Sequence, residues 1–395
     1  MNLKYIYTPG AGKMPKFLAG RDDQIEIALS AFEALLAGEV PTCIAYSGYR
    51  GVGKTVLLNK LQETAEEQGI TGYHIEVRED GNLIPRLLDH CRDFLNDHSG
   101  MEKLKTAFRK GTNALKTLEI GFSPENGSFS LSAKKDDSIR RTDFSQSLEN
   151  LFEAIGPIAK AKDQPICFFV DEFQYANLNE MDAFLGALHR ISQLSYPVIA
   201  IVAGTPEMIG KMYERKTYVE RLFVFPDLMF LSFEDVKEAL CIPGEKAGLS
   251  YEDPAVEAVY ESTEGYPYFV QLYGQILCAS LKDHDMPYTI TKRFVNSSYD
   301  TYLKQLDNNF YKIRYNNRSM LEQDFLFAMA DLELPCTTND VANLLKKTNK
   351  QVAPTLAKLK SKGIIANDKG LYFTVPGFTE YLKRHPDYKE RMKRR

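Results

Sequence analysis

The chain has 395 residues and a net charge of −4, with 49 Lys and Arg against 53 Asp and Glu. Its 44% hydrophobic and 26% charged residues are ordinary globular values, which exclude a mainly disordered, collagen-like or disulfide-dense chain. The charge is uneven, because residues 301–395 hold 18 basic and 10 acidic residues (+8), which leaves −12 for residues 1–300. A basic terminal region after an acidic body indicates an anionic partner for that region.

The six cysteines lie far apart and form neither a C-x-x-C pair nor a Cys/His cluster with metal-ligand spacing. The N-terminus lacks the apolar stretch and cleavage site of a secretory signal. The longest apolar runs are far shorter than the ~20 residues of a membrane span. We therefore expect a reduced, soluble, cytoplasmic protein with no membrane partner.

The first 20 residues, rich in Gly, Pro and Lys, predict an extended arm, and an amphipathic helix is predicted at about 22–36. Strand-like apolar segments then alternate with helical patterns. These segments are 42–46, 70–77, 166–170 and 197–203. Strands separated by helices of about 10–15 residues predict βαβ units and a parallel sheet. Their continuous apolar composition indicates that both faces of the sheet are covered.

Two further regions have their own patterns. Alternating residues around Asn126 and Gly127 predict a β-hairpin within 118–132. From about residue 230 the predicted strands stop, and a small all-α unit is expected. Its helical patterns are at 232–240, 253–263, 267–281 and 290–305.

The polar stretch 307–319 predicts a linker, after which a new pattern begins. Helices are predicted at 320–330, 338–346 and 349–362. Two strands around a turn at 367–370 follow them. Three helices followed by a β-hairpin is the layout of a winged helix-turn-helix.

The strongest motif lies between the first predicted strand and the helix that follows it. It fits G-x-x-x-x-G-K-[ST] at every position, which is the pattern of a phosphate-binding loop. Its residues are Gly48, Tyr49, Arg50, Gly51, Val52, Gly53, Lys54 and Thr55. Glycines let the backbone wrap a phosphate, and the helix adds its positive N-terminal end. We expect Lys54 to reach the β- and γ-phosphates and the Thr55 hydroxyl to bind Mg²⁺.

The strand at 166–170 ends in Asp171 and Glu172, at the sheet edge where parallel sheets bind ligands. The first acid is expected to hold Mg²⁺, and the second to polarise the attacking water. This pair favours hydrolysis and disfavours a P-loop kinase. The next strand ends in Gly204 and Thr205, and we expect Thr205 to lie between the two acids and the γ-phosphate.

With these motifs the chain resembles AAA+ ATPases, within them the replication-initiator (origin-recognition) type. Residues 17–22 look like the segment that lies near the adenine in that family, and they include Arg21. Thr205 matches the sensor position of the family. Residues 220–223 look like the segment that supplies an arginine finger to a neighbouring subunit. The resemblance implies Arg221 for that role, with Arg215 as the alternative.

The resemblance extends to residues 265–268, which fall where the second-sensor helix of the lid begins. Pro267 is implied as a nucleotide-contacting residue there. Tyr268 stands where many relatives have an arginine, so the resemblance does not imply a direct contact of the lid with the γ-phosphate.

Taken as a whole, the resemblance implies an α/β P-loop NTPase of the AAA+ class, with a three-layer parallel-sheet core, a helical lid and a C-terminal winged helix-turn-helix. It implies ATP and Mg²⁺ as cofactors and a homo-oligomer. The expected domains are an arm (1–20), a nucleotide-binding core (21–228), a lid (229–306) and a winged-helix domain (307–395).

The basic C-terminal region indicates double-stranded DNA as the anionic partner, since residues 341–395 carry 14 basic and 4 acidic residues. In the predicted recognition helix the core stripe is Val352, Leu356 and Leu359. The residues left outward are Lys350, Gln351, Thr355, Lys358 and Lys362, and Lys369 lies at the tip of the wing. We thus predict an ATP-controlled DNA-binding ATPase. A nucleotide-dependent signalling or scaffold ATPase whose winged helix binds a partner protein is the alternative.

Overall fold

The computed structural model describes residues 3–79, 81–98, 105–120, 122–123, 128–129, 137–281 and 287–393. Its contacts divide the chain into two compact units. We call residues 21–48 and 53–228 the sheet unit, and residues 1–20, 49–52 and 229–395 the helical unit.

The sheet unit is built on parallel strands, as the apolar segments predict. Its strands are β1 (Cys43–Ser47), β2 (Thr71–Glu76), β3 (Phe122–Ser123), β4 (Ser128–Phe129), β5 (Ile166–Asp171), β6 (Val198–Gly204) and β7 (Phe223–Val224). Five of them form one sheet in the order β2-β5-β6-β1-β7, and every pair in it is parallel. All residues of β1, β5 and β6 are buried, so both faces of the sheet centre are covered, as expected.

Helices connect these strands. They are α1 (Asp22–Leu36), α2 (Lys54–Glu67), α3 (Leu83–Asp97), α4 (Lys105–Ile120), α5 (Asp137–Ala161), α6 (Leu178–Gln193), α7 (Glu207–Arg215) and α8 (Val219–Leu222). A capping box starts α6, in which Asn177 and Glu180 satisfy each other's main-chain N–H groups. No helix among the described residues is long and apolar enough to cross a membrane.

The predicted hairpin is present as two short strands, because β3 and β4 pair antiparallel with Phe122 opposite Phe129. Its turn at Asn126 and Gly127 lies outside the described residues.

The helical unit holds the rest of the chain. Its main elements are α9 (Phe233–Glu245), β8 (Leu249–Tyr251), α10 (Asp253–Thr263), α11 (Pro267–Ala279), β9 (Tyr288–Ile290), α12 (Lys292–Leu306), α13 (Lys312–Asn316), α14 (Met320–Asp331), α15 (Thr338–Leu344), α16 (Asn349–Ser361), β10 (Ile365–Asn367), β11 (Leu371–Phe373), α17 (Phe378–Arg384) and α18 (Pro386–Lys393). The predicted succession of three helices and an antiparallel strand pair is therefore present, as α14 to α16 followed by β10 and β11.

The expectation that strands stop near residue 230 is wrong. The short strands β8 and β9 pair in parallel, with Leu249 opposite Tyr288 and Tyr251 opposite Ile290. Strands of three residues are too short to show a period in the sequence, and their pairing joins segments about 40 residues apart.

The predicted linker at 307–319 is also wrong. A π-helical turn at Asp307–Tyr311 leads directly into α13, and Tyr311 and Tyr315 are buried in the core of the helical unit. These tyrosines are four residues apart, so they lie on one helical face, while the polar residues between them give the stretch its linker-like composition.

The extended arm predicted for residues 1–20 is wrong at residues 3–7. Leu3–Tyr5 is a short 3₁₀ helix, and Ile6 and Tyr7 are buried in the same core. The Tyr7 hydroxyl donates to the Leu240 carbonyl over 2.7 Å. Three large apolar side chains at positions 3, 6 and 7 outweigh the Gly, Pro and Lys content that suggested an extended segment.

Candidate functional site

The carboxyl ends of three parallel strands meet at one edge of the sheet unit. Ser47 at the end of β1 is in register with Gly204 at the end of β6, and the Gly48 N–H donates to the Gly204 carbonyl over 3.1 Å. On the other side of β6, β5 ends at Asp171. The start of the predicted phosphate loop, the acidic pair and Thr205 are therefore brought to the same edge.

The backbone of the loop turns sharply where the motif has glycines. Gly51 has a φ of 85° and Gly53 a φ of 99°, both in the left-handed region that other residues rarely adopt. Gly53 directly precedes α2, which starts at Lys54. The glycine spacing thus lets the chain pass from a tight loop into the first turn of a 14-residue helix.

Lys54 is 5% exposed, and its ammonium group donates to the Gly48 carbonyl over 2.9 Å. Lys54 is the first residue of α2, so a phosphate at the N-terminal end of that helix would meet both the lysine charge and the positive end of the helix.

Thr55 and Asp171 form the next pair. The Thr55 hydroxyl donates to Asp171 Oδ2 over 2.5 Å, although the two residues are 116 positions apart. Asp171 Oδ1 accepts the main-chain N–H of Glu172 over 2.8 Å, and the side chain is buried. Mg²⁺ is commonly held by one or two protein oxygens plus substrate phosphates, so this pair of hard oxygen donors fits the ion.

Glu172 has a φ of 53°, which is unusual for a residue with a side chain. Its Oε2 accepts a hydrogen bond from the side-chain amide of Gln174. Local strain of this kind clusters at functional positions. Gln174 was not singled out from the sequence, because no periodicity or spacing rule marks a lone glutamine three residues after a strand.

Thr205 lies beside these acids. It is 8% exposed, and its main-chain N–H donates to Gln174 Oε1 over 3.1 Å. Its hydroxyl is buried and has no hydrogen-bond partner among the described residues. Since about nine in ten buried polar groups in proteins are paired, this hydroxyl is a natural place for a ligand atom. The orphaned hydroxyl, the buried lysine and the oxygen pair together fit a Mg²⁺–nucleotide.

Three other predicted site residues belong to the sheet unit. Arg21 is buried at 4% exposure and directly precedes α1. Arg215 ends α7 and Arg221 lies in α8, and both are exposed.

Residues 49–52 of the loop make contacts within the helical unit. The Tyr49 and Tyr372 hydroxyls are hydrogen-bonded, and their rings meet edge to face at 6.1 Å. The Tyr266 hydroxyl donates to the Arg50 carbonyl over 2.9 Å, and burial raises the pKa of Tyr266 to about 12. A Cβ on Gly51 would lie 1.9 Å from that hydroxyl, so only glycine fits.

The sequence pattern at residues 265–268 predicts no role for Tyr266. Pro267, the predicted contact next to it, is the first residue of α11. Tyr268 stacks on Phe310 with 5.5 Å between ring centroids.

The C-terminal helix α16 has the predicted core stripe, since Val352 and Leu359 are buried and Leu356 packs partly against the core. Of the predicted outward residues, Lys350, Gln351 and Lys358 are exposed, as is Lys369 in the turn between β10 and β11; Thr355 is half-buried. The side chain of Lys362 is 41% exposed and also forms an ion pair with the buried Glu322 at 2.7 Å.

Comparison with known proteins gives two family matches. Residues 18–202 match a family described as AAA ATPase domain, and residues 308–382 match one described as Domain of unknown function (DUF8462). No curated protein matches the chain.

Solved structures with a similar fold cover nearly the whole chain. The Walker-type ATPase of Pyrococcus abyssi is 15% identical, covers 96% of this chain and 99% of its own, and has a TM-score of 0.50. The Orc1 protein of Aeropyrum pernix, solved in complex with DNA, is 12% identical, with coverages of 98% and 97% and a TM-score of 0.48. The RuvB Holliday junction branch migration motor of Thermotoga maritima is 14% identical, with coverages of 95% and 99% and a TM-score of 0.47.

The parallel sheet with its phosphate loop, the family match over residues 18–202 and the similarity to the Pyrococcus ATPase agree with one another. The chain has the fold of the P-loop AAA+ ATPases, and residues 18–202 match the AAA ATPase domain family.

Proposed function

We propose that this protein binds and hydrolyses ATP with Mg²⁺ and that the nucleotide controls DNA binding by its C-terminal region. The observation that carries the ATPase part is the Thr55–Asp171 oxygen pair beside the unpartnered hydroxyl of Thr205. The Thr205 hydroxyl is left open for a ligand, and the Thr55 and Asp171 oxygens, although hydrogen-bonded to each other, are hard donors of the kind that Mg²⁺ prefers.

Each residue of this site has its own role in the proposed hydrolysis of ATP. ATP supplies the reactive γ-phosphoryl group when bound. Backbone amides of the loop and Lys54 hold phosphate oxygens, while Thr55 and Asp171 hold Mg²⁺. Glu172 orients the attacking water and accepts its proton, and the Thr205 hydroxyl donates a hydrogen bond towards the γ-phosphate.

Three further assignments extend the proposal beyond the centre of the site. Arg21 and Pro267 contact the nucleotide away from the reacting phosphate. Arg221, or else Arg215, completes the site of a neighbouring copy in a homo-oligomer, which an exposed arginine on a surface helix is free to do.

The test of ATP binding is Lys54→Ala, with binding measured by calorimetry on the full chain. We expect ATP affinity to fall at least about 30-fold, because a charge-assisted contact worth about 2 kcal/mol or more is lost. Lys60→Ala is the matched control, since Lys60 lies on the same helix but makes only a surface pair with Glu63. Equal affinity in the Lys54 variant would refute the site.

The DNA part rests on the C-terminal elements. The succession of α14, α15, α16 and the β10–β11 pair is the order expected of a winged helix. In this proposal the exposed Lys350 and Lys358 lie on the recognition helix α16, and Lys369 lies in the wing. The net charge of +10 over residues 341–395 supplies sequence-independent attraction to phosphates.

The contacts of residues 49–52 support control by nucleotide. Tyr49 bonds to Tyr372 on β11, and a Cβ on Gly363, two residues before β10, would lie 3.3 Å from Arg50 Cδ. In this proposal, a change of loop conformation on nucleotide binding acts on the β10–β11 pair through these contacts.

The DNA proposal is tested by duplex binding of the full chain between 50 and 200 mM salt, with and without ATP. Each lost phosphate contact reduces the slope of log binding constant against log salt concentration by about 0.9. The triple variant Lys350→Ala, Lys358→Ala, Lys369→Ala should therefore reduce this slope by up to about 2.7. Lys60→Ala with Lys162→Ala in the sheet unit should leave it unchanged. No binding even at 50 mM salt would reject DNA and favour a partner protein for this region.

A further inference from the structure

Gln174 connects the two polar strand ends of the site. It lies in the short 3₁₀ turn Phe173–Tyr175 that follows β5, and its side chain is 6% exposed. Its amide nitrogen donates to Glu172 Oε2, and its amide oxygen accepts the main-chain N–H of Thr205 over 3.1 Å. One buried side chain thus bonds to both the acid after β5 and the threonine after β6.

The position of this amide is fixed from several sides. The Gln174 main-chain carbonyl accepts a hydrogen bond from Lys211 Nζ over 2.7 Å. A Cβ on Gly204 would lie 2.7 Å from Gln174 Oε1 and 2.7 Å from Met208 Sδ. Both neighbours are buried, so glycine at position 204 leaves the room that the amide occupies.

The two hydrogen bonds also fix the chemistry required at this position. The side chain must offer a donor to a carboxylate and an acceptor to a main-chain N–H, which glutamine does in one orientation of its amide. Glutamate would place a second carboxylate against Glu172, and methionine would fill the space without either bond.

The hydrogen bond from Gln174 to one carboxylate oxygen of Glu172 determines which oxygen can act as the base. With Oε2 of Glu172 held by Gln174, rotation of the carboxylate is restricted and Oε1 is the oxygen left to accept a proton from water. General-base catalysis depends on this kind of orientation, because the base must lie within hydrogen-bond reach of the proton that it takes.

We propose that Gln174 is a positioning residue, which orients Glu172 for water activation and ties that orientation to the segment carrying Thr205. The inference rests on the proposed function, in which Glu172 assists ATP hydrolysis. It adds a specific route by which movement at Thr205 on nucleotide binding is passed to the carboxylate, through one amide group.

The experiment measures kcat and KM for ATP and the dissociation constant for ATP on the full chain. The variants are Gln174→Met, Gln174→Glu and Gly204→Ala, with Gln193→Met as a control at an exposed glutamine of the same unit. We expect kcat to fall about 10- to 100-fold in all three variants, since they disturb orientation of the base, while KM and the dissociation constant change less than about threefold. Gln193→Met should resemble the unmodified protein.

The decisive measurement is the effect of Gln174→Met on the rate of ATP hydrolysis in the Glu172→Gln background, measured by single-turnover kinetics. If Gln174 acts through Glu172, Gln174→Met should lower the residual rate less than about threefold there, because the group it positions is already gone. A merely structural role predicts the same fold-loss in both backgrounds, and that result would overturn the inference, as would unchanged kcat in Gln174→Met and Gln174→Glu.

Failure of the proposed function gives a different result. If the unmodified protein binds ATP but does not turn it over, or if Glu172→Gln turns over at the unmodified rate, the role of Glu172 is refuted independently of Gln174. If Gln174→Met does not fold, judged by its thermal unfolding, Gln174→Glu carries the test, because it has nearly the same shape and retains the acceptor for Thr205.

Discussion

The two units differ in how they treat one class of buried group, the side-chain hydroxyl. In the helical unit buried tyrosines donate to main-chain carbonyls: Tyr7 to Leu240, Tyr273 to Val295 and Tyr311 to Pro376. In the sheet unit the hydroxyl of Thr205 is buried without a partner among the described residues. The first pattern stabilises packing, and the second leaves capacity for a ligand.

One other buried side-chain atom of the described residues also has no hydrogen-bond partner. Arg318 Nη1 in the helical unit is also buried without a partner, but the same guanidinium donates from Nε to the Arg314 carbonyl over 3.0 Å. Thr205 has a single side-chain polar atom, so its whole hydrogen-bonding capacity is open. We therefore interpret the Thr205 hydroxyl, which is unpaired and follows the end of a parallel strand, as part of a ligand site and not of a packing site.

The largest expected effect on stability concerns Glu322 in the helical unit. Burial raises the pKa of this carboxyl, but hydrogen bonds from Lys362 and from the Ser319 main chain outweigh burial and lower it to about 2. Because the folded pKa lies below the unfolded value, the charged form stabilises the fold above about pH 4.5, and this stabilisation is lost as pH falls towards 2.

Glu322→Gln should therefore lower the free energy of unfolding by about 2 kcal/mol at pH 7, as expected for a lost bond to a charged partner. Urea titrations at several pH values should show this deficit shrinking between about pH 4.5 and pH 2. Glu257→Gln, at an exposed position on α10, is the control. A deficit that is constant over this range would contradict the assignment, and turnover should be unaffected.

Thr205→Val tests a buried group of the sheet unit that has no protein partner. We expect turnover of ATP to fall about tenfold, which corresponds to about 1.4 kcal/mol in the barrier, because this change removes the hydroxyl that we propose donates towards the γ-phosphate. Stability without nucleotide should be unchanged or higher, since an unpaired buried hydroxyl is removed and the Gln174 bond to the main chain is kept. Thermal unfolding and steady-state kinetics measure both quantities.

Thr205→Ser keeps the hydroxyl and should retain most of the turnover. If Thr205→Val instead lowers stability and leaves turnover unchanged, Thr205 is a packing residue. Its hydroxyl would then not distinguish the sheet unit from the helical unit.

The smallest effect is expected for Tyr311→Phe. The Tyr311 hydroxyl donates to the Pro376 carbonyl over 2.7 Å in the core of the helical unit, so its loss should cost about 1 kcal/mol of unfolding free energy. Chemical denaturation should show this cost with ATP turnover unchanged. Tyr299→Phe, at an exposed position, should cost nothing measurable, and equal effects in the two variants would argue against the buried bond.

Short-range patterns in the sequence were sufficient for the central strands of the sheet unit and for its phosphate-loop motif, but they did not predict β7, α7 or α8. Predicted strands at 42–46, 166–170 and 197–203 correspond to β1, β5 and β6 within one residue at each end. They could be read locally, because a continuous apolar run bounded by turn residues requires no knowledge of its neighbours. Predictions failed at 1–20, at 307–319 and at β8–β9, where composition or length was typical of irregular chain but long-range packing decided the structure.

By itself the sequence determined the phosphate-loop motif, the acid pair that ends a buried strand, and the basic C-terminal region, since each depends on neighbouring residues alone. Tertiary structure decided the strand order β2-β5-β6-β1-β7, which brings Gly48, Asp171 and Thr205 to one edge. It also decided that Gln174 links Glu172 to Thr205 and that Tyr49 meets Tyr372. Those contacts join residues up to 323 positions apart, and no local pattern specifies them.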